Sequence, residues 1–160
     1  MRISRYNEFV LKSFAKNKKA FADFEILEKI EAGIALKGGE VKSIRDGHAQ
    51  LKGSFIEVKN GNALANNIHI SKYKYDSNEK FNPTRKRRLL LHKKEIAMIA
   101  SKLDTKGLTV IPLELYEKHG LIKLLIGVCR GKKKYDRREE LKKRARDIEV
   151  AQAMKKFSRR

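Results

Sequence analysis

The segment Ser54–Ile70, with the sequence SFIEVKNGNALANNIHI, has the strongest strand signal in the chain. Asn60-Gly61 divides it into two runs of recurring apolar residues: Phe55, Ile56 and Val58 before it, and Ala63, Leu64, Ile68 and Ile70 after it. Asparagine and glycine accept the positive φ angles that a two-residue hairpin turn needs at both positions. The segment therefore predicts an antiparallel hairpin in which neighbouring strands pair.

The segments on both sides of the hairpin extend this β-rich pattern. Mostly even spacing of apolar residues over Ala22–Leu36 predicts one long strand, bent near Ala32-Gly33. The remaining pattern predicts a short helix at Glu40–Arg45, a mobile loop at Lys72–Asn82, a helix at His92–Lys106 stopped by Gly107, and strands at Leu108–Lys118 and Leu121–Val128. The predicted fold class is mostly β with helices, an OB-like closed β-barrel. The pattern alone supports a mostly β barrel or sandwich.

The chain is strongly cationic. It has 39 Lys and Arg against 19 Asp and Glu in 160 residues, a formal net charge of +20. Nucleic acid or an anionic membrane surface is therefore the leading class of partner. No apolar run is long enough to cross a bilayer, and the N-terminus lacks a secretory pattern, so we expect a cytoplasmic protein with no membrane partner. The single cysteine, Cys129, is expected to be a small buried strand residue.

Enzymatic chemistry finds little support in the sequence. The histidines show no spacing with Cys or carboxylates that would suit zinc: His48, His69, His92 and His119. No glycine-rich loop precedes a Lys-Ser or Lys-Thr pair, and the carboxylates form no visible cluster for a metal-dependent nuclease. We therefore expect no enzyme, no metal and no cofactor, with a nuclease kept as an alternative because acids can converge in space.

The segment Pro83–Leu91, PTRKRRLLL, places four consecutive cations before a buried-looking run of leucines. In a strand, Arg85 and Arg87 would point one way and Lys86 and Arg88 the other. Guanidinium groups bind phosphates with two hydrogen bonds or stack on unpaired bases. The segment is thus a candidate RNA contact, and a solvated run of charges is the alternative.

Five blocks of sequence resemble the SsrA-binding protein family, also called small protein B. In family order they are NKKA at 17–20, EAGIAL at 31–36, EVKSIR at 40–45, PTRKRRLLL at 83–91 and GKKKYDRR at 131–138. The resemblance covers the chain from about Ser13 onward. It implies an OB-like barrel with helices that binds transfer-messenger RNA and delivers it to stalled bacterial ribosomes for trans-translation.

The resemblance also implies which residues bind the RNA. Glu31, Leu90 and Lys123 match family residues of the RNA-binding surface, with Lys18, Lys42, Arg45 and Arg88 as supporting phosphate contacts. Physically, Lys123 suits a phosphate, Leu90 a splayed base or sugar, and Glu31 base amino groups. In the alternative interpretation Leu90 belongs to the core and Glu31 caps a bend.

The last thirty-one residues, 130–160, carry 14 basic and 5 acidic residues, a formal charge of +9. Helical spacing extends over Asp136–Phe157, where Asp136 and Glu139 can cap the start. Only Leu141 and Ile148 are large and apolar on one face, too few to hold a helix against the body. We therefore expect a tail that is disordered alone and helical along RNA, or alternatively an unstructured basic arm.

For the tail, the resemblance implies a probe of the empty messenger channel. Ribosomal RNA near the decoding centre would be contacted by Lys132, Lys133, Lys134, Asp136, Arg137 and Arg138, and Tyr135 would stack on a base.

The predicted organisation is an OB-like RNA-binding barrel with a short N-terminal segment over residues 1–129 and a basic tail over 130–160. We expect a monomer when free, with transfer-messenger RNA and the ribosome as partners. A structural ribosomal RNA-binding protein is the alternative.

Overall fold

The structure, a computed structural model, describes residues 12–157, without the side chains of residues 134 and 135. Residues 1–11 of the predicted N-terminal segment and 158–160 of the tail lie outside the described residues. In chain order the elements are β1 (Lys12–Lys16), α1 (Lys18–Asp23), β2 (Phe24–Ile34), α2 (Gly38–Arg45), β3 (Ala49–Gln50), β4 (Phe55–Lys59), β5 (Asn62–Asn66), β6 (His69–Ile70), β7 (Arg87–Leu90), α3 (Lys93–Asp104), β8 (Leu108–Lys118), β9 (Leu121–Gly131) and α4 (Lys134–Phe157).

Seven antiparallel strands form one curved sheet in the order β1-β8-β9-β2-β7-β5-β4, and β3 pairs with β6 in a small second ladder. Over the described residues β1 and β4 are the two edges of the large sheet and share no ladder, so the prediction of a closed barrel is wrong. Helix α3 packs against both β4 and β8, and its Ile99 is fully buried. The gap that remains where the sheet does not close is therefore covered by α3 and is not bridged by strand pairing.

The main core lies on the concave face of this sheet. It joins inward residues of the long strands, such as Ile30, Leu115 and Ile126, to the β4–β5 hairpin. A second apolar cluster lies on the opposite face, beneath α1: Ala20, Ile111, Leu113, Tyr116, Leu125 and Cys129. Asn17 holds α1 there by accepting a hydrogen bond from the Ala20 amide (3.1 Å) and donating to the carbonyls of Leu51 and Pro112. Helix α1 thus covers one end of the outer face.

Several predictions from the sequence are confirmed. The hairpin turns at Asn60 and Gly61, whose φ angles are 51° and 69°. The two predicted helices are present as α2 and α3, and Cys129 is buried, which raises the pKa of its thiol to about 11. The long strand exists as β2, but α1 precedes it and its irregularity lies between Ile26 and Glu28 rather than near Ala32-Gly33.

The tail forms the helix α4, in agreement with its helical spacing, and disorder of the tail when it is free stays a prediction. Its helical start is held to the body by Lys132, which pairs with Glu140, and by Arg137, which lies 3.8 Å from Asp23. Beyond this point the side chains are exposed, including Leu141 (64%) and Ile148 (58%). The apolar stripe is indeed too thin to pack on the sheet. No described helix is long and apolar enough to span a membrane.

Candidate nucleic-acid interface

The outer sheet face carries a row of side chains from four strands, in which Tyr116 is fully buried and belongs to the cluster beneath α1. Tyr116 on β8 is the ladder partner of Lys123 on β9, Lys123 is the partner of Gly33 on β2, and Gly33 is the partner of Leu90 on β7. Glu31 lies two residues from Gly33 and so shares its face. The structure therefore brings together Glu31, Leu90 and Lys123, which are far apart in the sequence. We call this surface the outer row.

Glu31 is held by two hydrogen bonds at the edge of the outer row. Its Oε2 atom accepts from Tyr116 Oη (2.6 Å) and from Lys118 Nζ (2.9 Å). Burial raises the pKa of Glu31, but these hydrogen bonds and the charges of Lys118 and Lys123 outweigh it and lower the pKa overall. The carboxylate is therefore ionised and fixed in place, and it does not cap a bend.

Leu90 is a surface residue. Its side chain is 57% exposed, so its assignment to the core is wrong. It lies across the backbone of Gly33, because a Cβ atom at position 33 would be 2.9 Å from the Leu90 Cβ and 3.4 Å from its Cδ1. The pair forms a flat apolar surface beside Lys123, suited to the face of a base or a ribose.

The basic run before Leu90 is mostly structural. Glu40, which is only 1% exposed, accepts hydrogen bonds from Arg85 Nε (2.9 Å) and from Arg87 Nε and Nη2 (3.0 and 2.8 Å). Burial raises the pKa of Glu40, but Arg85, the Lys37 amide and Arg87 lower it overall. Arg87 is completely buried and also donates to the carbonyls of Ile68 and Pro83.

Of the four cations in that run, Arg88 is the one placed for the outer row. Lys86 is paired with Glu57 at 2.7 Å, and strand alternation in β7 sends Arg88 to the same face as Leu90, opposite to Arg87. Arg88 is exposed there. The sequence pattern gave no sign that Arg85 and Arg87 pair with a carboxylate more than forty residues earlier.

The supporting cations on α2 lie at the end of the sheet. Lys42 is exposed, and its Nζ atom is 5.4 Å from the centre of the Tyr73 ring. Arg45 Nη2 donates to Glu117 Oε1 (3.2 Å) and to the Gly120 carbonyl (3.3 Å) at the β8–β9 turn. Helix α2 therefore adjoins the strands that carry Lys118 and Lys123.

Lys18 lies in a different place. It is exposed in the first turn of α1 and lines a shallow cleft between α1 and β3 with three other lysines, Lys16, Lys19 and Lys52. The structure does not include it in the outer row.

The sequence interpretation missed three residues of the outer face, Tyr116, Lys118 and Leu121. Leu121 is the ladder partner of Lys118 and is 59% exposed, two residues from Lys123 on the same face. A register shift between Pro112 and Glu114 reverses the alternation of β8. Because the pattern in the sequence does not reveal this shift, it could not assign Tyr116 and Lys118 to a face.

In the tail, the predicted contacts have different surroundings. The Lys132 side chain is 14% exposed, and its Nζ lies 2.7 Å from Glu140 and 3.4 Å from the Phe21 carbonyl. Lys132 thus joins the tail to the body in the chain alone. Lys133, Asp136, Arg137 and Arg138 are exposed, and the side chains of Lys134 and Tyr135 lie outside the described residues.

Metal ligation is not indicated in the described part of the chain. Within residues 12–157, no three His, Cys, Asp or Glu side chains come together in a group that could hold a metal ion.

Comparison with known proteins identifies the family. Residues 14–156 match the family model described as SmpB protein. The chain belongs to the SmpB protein family. It is 48% identical over 148 residues to the SsrA-binding protein of Geobacter sulfurreducens, covering 92% of this chain and 97% of the relative. It is 50% identical over 148 residues to the SsrA-binding protein of Geotalea uraniireducens, covering 92% and 98%.

A solved structure has a related fold. The structure described as "tmRNA-SmpB: a journey to the center of the bacterial ribosome" is 46% identical in sequence, with a TM-score of 0.64. The alignment covers 74% of this chain and 84% of that chain. The similarity in sequence and the similarity in fold therefore point to the same family.

Proposed function

We propose that this protein binds the SsrA RNA, which is transfer-messenger RNA, and acts with it on the ribosome in trans-translation. Membership of the SmpB family and the names of its relatives support this function. The structural observation that carries it is the outer row, which places Glu31, Lys123 and Leu90 together on one open face of a chain with net charge +20. The curved sheet acts as an OB-like RNA-binding surface.

The chemistry of the outer row suits folded RNA with unpaired bases. Lys123 supplies a cation for a phosphate, and Leu90 over Gly33 supplies an apolar face. The Glu31 carboxylate, ionised because its pKa is lowered, accepts hydrogen bonds from base amino groups. Arg88 beside Leu90 and the cations of α2 would bind the flanking phosphates.

The tail supplies a second contact, with the ribosome. Helix α4 has 24 residues and would be about 36 Å long at 1.5 Å per residue. Beyond Glu140 its side chains are exposed, so its cations are available to ribosomal RNA in an empty messenger channel and near the decoding centre. Ribosomal RNA would also stabilise the helix by relieving repulsion among its cations. The body, residues 1–129, thus selects the RNA and residues 130–160 test the ribosome.

The first test of the function is to purify the full chain from a cell extract and to identify the RNA that copurifies with it. Sequencing should find one enriched species with a transfer-RNA-like end. A structural ribosomal protein would instead bring down ribosomal RNA in equal proportion with every ribosome, and a metal-dependent nuclease would cleave the RNA. Either result would overturn the proposal that this is a non-enzymatic carrier of one RNA.

A second experiment tests the site. Lys123→Gln and Glu31→Gln should each weaken binding of transfer-messenger RNA by about tenfold, and Lys123→Gln should reduce the slope of log affinity against log salt by about 1. Lys106→Gln is the matched control, because Lys106 is an exposed lysine in the turn between α3 and β8, outside the outer row. Equal affinities for the Lys123 and Lys106 variants would overturn the site assignment.

A further inference from the structure

Two tyrosines and two lysines form a cluster beside α2, in which Tyr73 is partly buried and Lys42, Lys74 and Tyr75 are exposed. The rings of Tyr73 and Tyr75 meet edge to face, with centres 5.5 Å apart and planes at 66°. Lys42 Nζ lies 5.4 Å from the centre of the Tyr73 ring, and Lys74 Nζ lies 4.6 Å from that of Tyr75. Tyr75 is 73% exposed. Most of a large aromatic side chain is therefore left in water, between cations.

The backbone of this segment is held against α2. Ser43 Oγ donates to the Ser71 carbonyl (2.6 Å), and the Asp76 amide donates to the Tyr73 carbonyl (2.9 Å), which closes a turn over 73–76. Asp76 lies against Gly39, where a Cβ atom would come within 2.6 Å of Asp76 Oδ2. The tyrosines therefore project from a supported turn, although the segment has no strand or helix.

The composition of the segment indicates the kind of ligand. Residues 71–80 contain no aliphatic side chain, and Lys72 and Lys74 stand beside the tyrosines. A protein partner would usually be recognised by an apolar core within the contact, which is missing here. Exposed aromatic rings interleaved with cations are typical of sites where unpaired bases stack and phosphates are neutralised.

We propose that this cluster is a nucleotide subsite that binds one unpaired nucleotide of an RNA. The base stacks on the Tyr75 ring, and Lys42 and Lys74 neutralise the adjacent phosphates. Helix α2 connects the subsite to the outer row, because Arg45 bonds to the β8–β9 turn and Glu40 bonds to the arginines at the start of β7. The subsite rests on the proposed RNA-binding function and extends its surface past the sheet.

The test compares Tyr75→Leu with Tyr75→Phe in the full chain. Phenylalanine keeps the aromatic face and leucine removes it, and neither change should disturb folding at so exposed a position. Filter binding to transfer-messenger RNA should show Tyr75→Leu weakened by about 5- to 160-fold, the range expected for one stacked base, and Tyr75→Phe within about twofold of the parent. Chemical probing of the RNA should find a nucleotide protected by the parent and Tyr75→Phe but reactive with Tyr75→Leu.

If Tyr75→Leu leaves both the RNA affinity and the protection pattern unchanged, the proposed nucleotide subsite is overturned. A change in binding to a protein partner would not rescue it. Lys123→Gln, measured in the same assay, separates a failure of the subsite from a failure of the outer row. If Lys123→Gln weakens binding and Tyr75→Leu does not, the outer row stands and the subsite fails. If the parent chain itself does not prefer transfer-messenger RNA over transfer RNA, the proposed function fails.

Discussion

Gly33 on β2 lies directly opposite Leu90 on β7, so close that a Cβ atom at position 33 would be 2.9 Å from the Leu90 Cβ. Real Cβ atoms do not approach another carbon of a packed strand at this distance, so any side chain at position 33 must displace Leu90. The glycine is required here by the close approach of Leu90, and its own φ angle is not positive. The exposed leucine and the glycine beneath it are therefore one structural unit.

Gly33→Ala should therefore weaken RNA binding while the fold persists. Loss of the apolar contact at Leu90 is expected to cost about tenfold in affinity, or about 1.4 kcal/mol. The control is Gly38→Ala, because a Cβ atom at Gly38 meets nothing within 4 Å and the position lies in the first turn of α2. Filter binding to transfer-messenger RNA gives the affinities, and circular dichroism confirms folding. An affinity for Gly33→Ala equal to that of Gly38→Ala would contradict this account.

The buried network around Glu40 should dominate stability among the ion pairs of the described chain. Glu40→Gln removes the charge that faces Arg87, whose side chain is completely buried. An uncompensated buried charge typically costs about 3–5 kcal/mol, so the free energy of unfolding in urea should fall by about this amount. Glu57→Gln is the control, since it removes the partly exposed partner of Lys86, a cation of the same basic run, and should change stability little. Similar losses for both variants would contradict the prediction.

Acid should remove the Glu40 contribution. The folded-state pKa of Glu40 lies below its ordinary value of 4.5 because Arg85, the Lys37 amide and Arg87 outweigh the effect of burial. A lowered pKa contributes stability that is complete above the unfolded-state pKa and is lost as the pH falls through the folded-state value. The difference in unfolding free energy between the parent and Glu40→Gln should therefore stay constant from about pH 7 to pH 5.5 and shrink below about pH 4.5.

Urea unfolding of both proteins at stepwise lower pH measures this difference directly. Subtracting the variant removes the titration of groups that the two proteins share. A difference that grows on acidification would mean that burial controls the pKa of Glu40 and that the arginines do not.

The elements that local patterns describe were predictable from the sequence. The Asn60-Gly61 hairpin, the helix over residues 93–104 and the strand that begins at Leu121 all depend on residues close in the chain. Closure of the sheet would require the two edge strands, β1 and β4, to pair with each other, and no local pattern encodes whether they do. The open edge covered by α3 was therefore missed.

The candidate site, too, was predicted only in part from the sequence. The resemblance gave Glu31, Leu90 and Lys123, and the structure places them on one face. Tyr116 and Lys118 were missed because the register shift in β8 changes the face of the sheet on which they lie. Arg87 was taken for a surface cation because its partner, Glu40, is distant in the sequence. Burial of a charge is decided by tertiary pairing, which a run of basic residues does not reveal.

Removing the tail should separate RNA binding from ribosome rescue. The chain should end after Lys133, because β9 pairs with β2 through Gly131 and the Lys132 amide donates to the Asp23 carbonyl (3.0 Å). Helix α4 contributes almost no buried side chain to the body, so the shortened protein should fold. We expect its affinity for transfer-messenger RNA to stay within about threefold of the parent, the small loss reflecting fewer cations near the RNA.

Rescue of ribosomes stalled on a message without a stop codon should be abolished in the same shortened protein, measured as release of the stalled chain in a reconstituted translation reaction. Glu140→Gln is the matched control. It keeps every cation of the tail but removes the carboxylate that pairs with Lys132 and joins the helix to the body. Because the exposed cations of α4 remain, this variant should keep most of the rescue activity. Full activity after truncation, or a parallel loss of RNA affinity and rescue, would show that the body and the tail do not divide the two tasks.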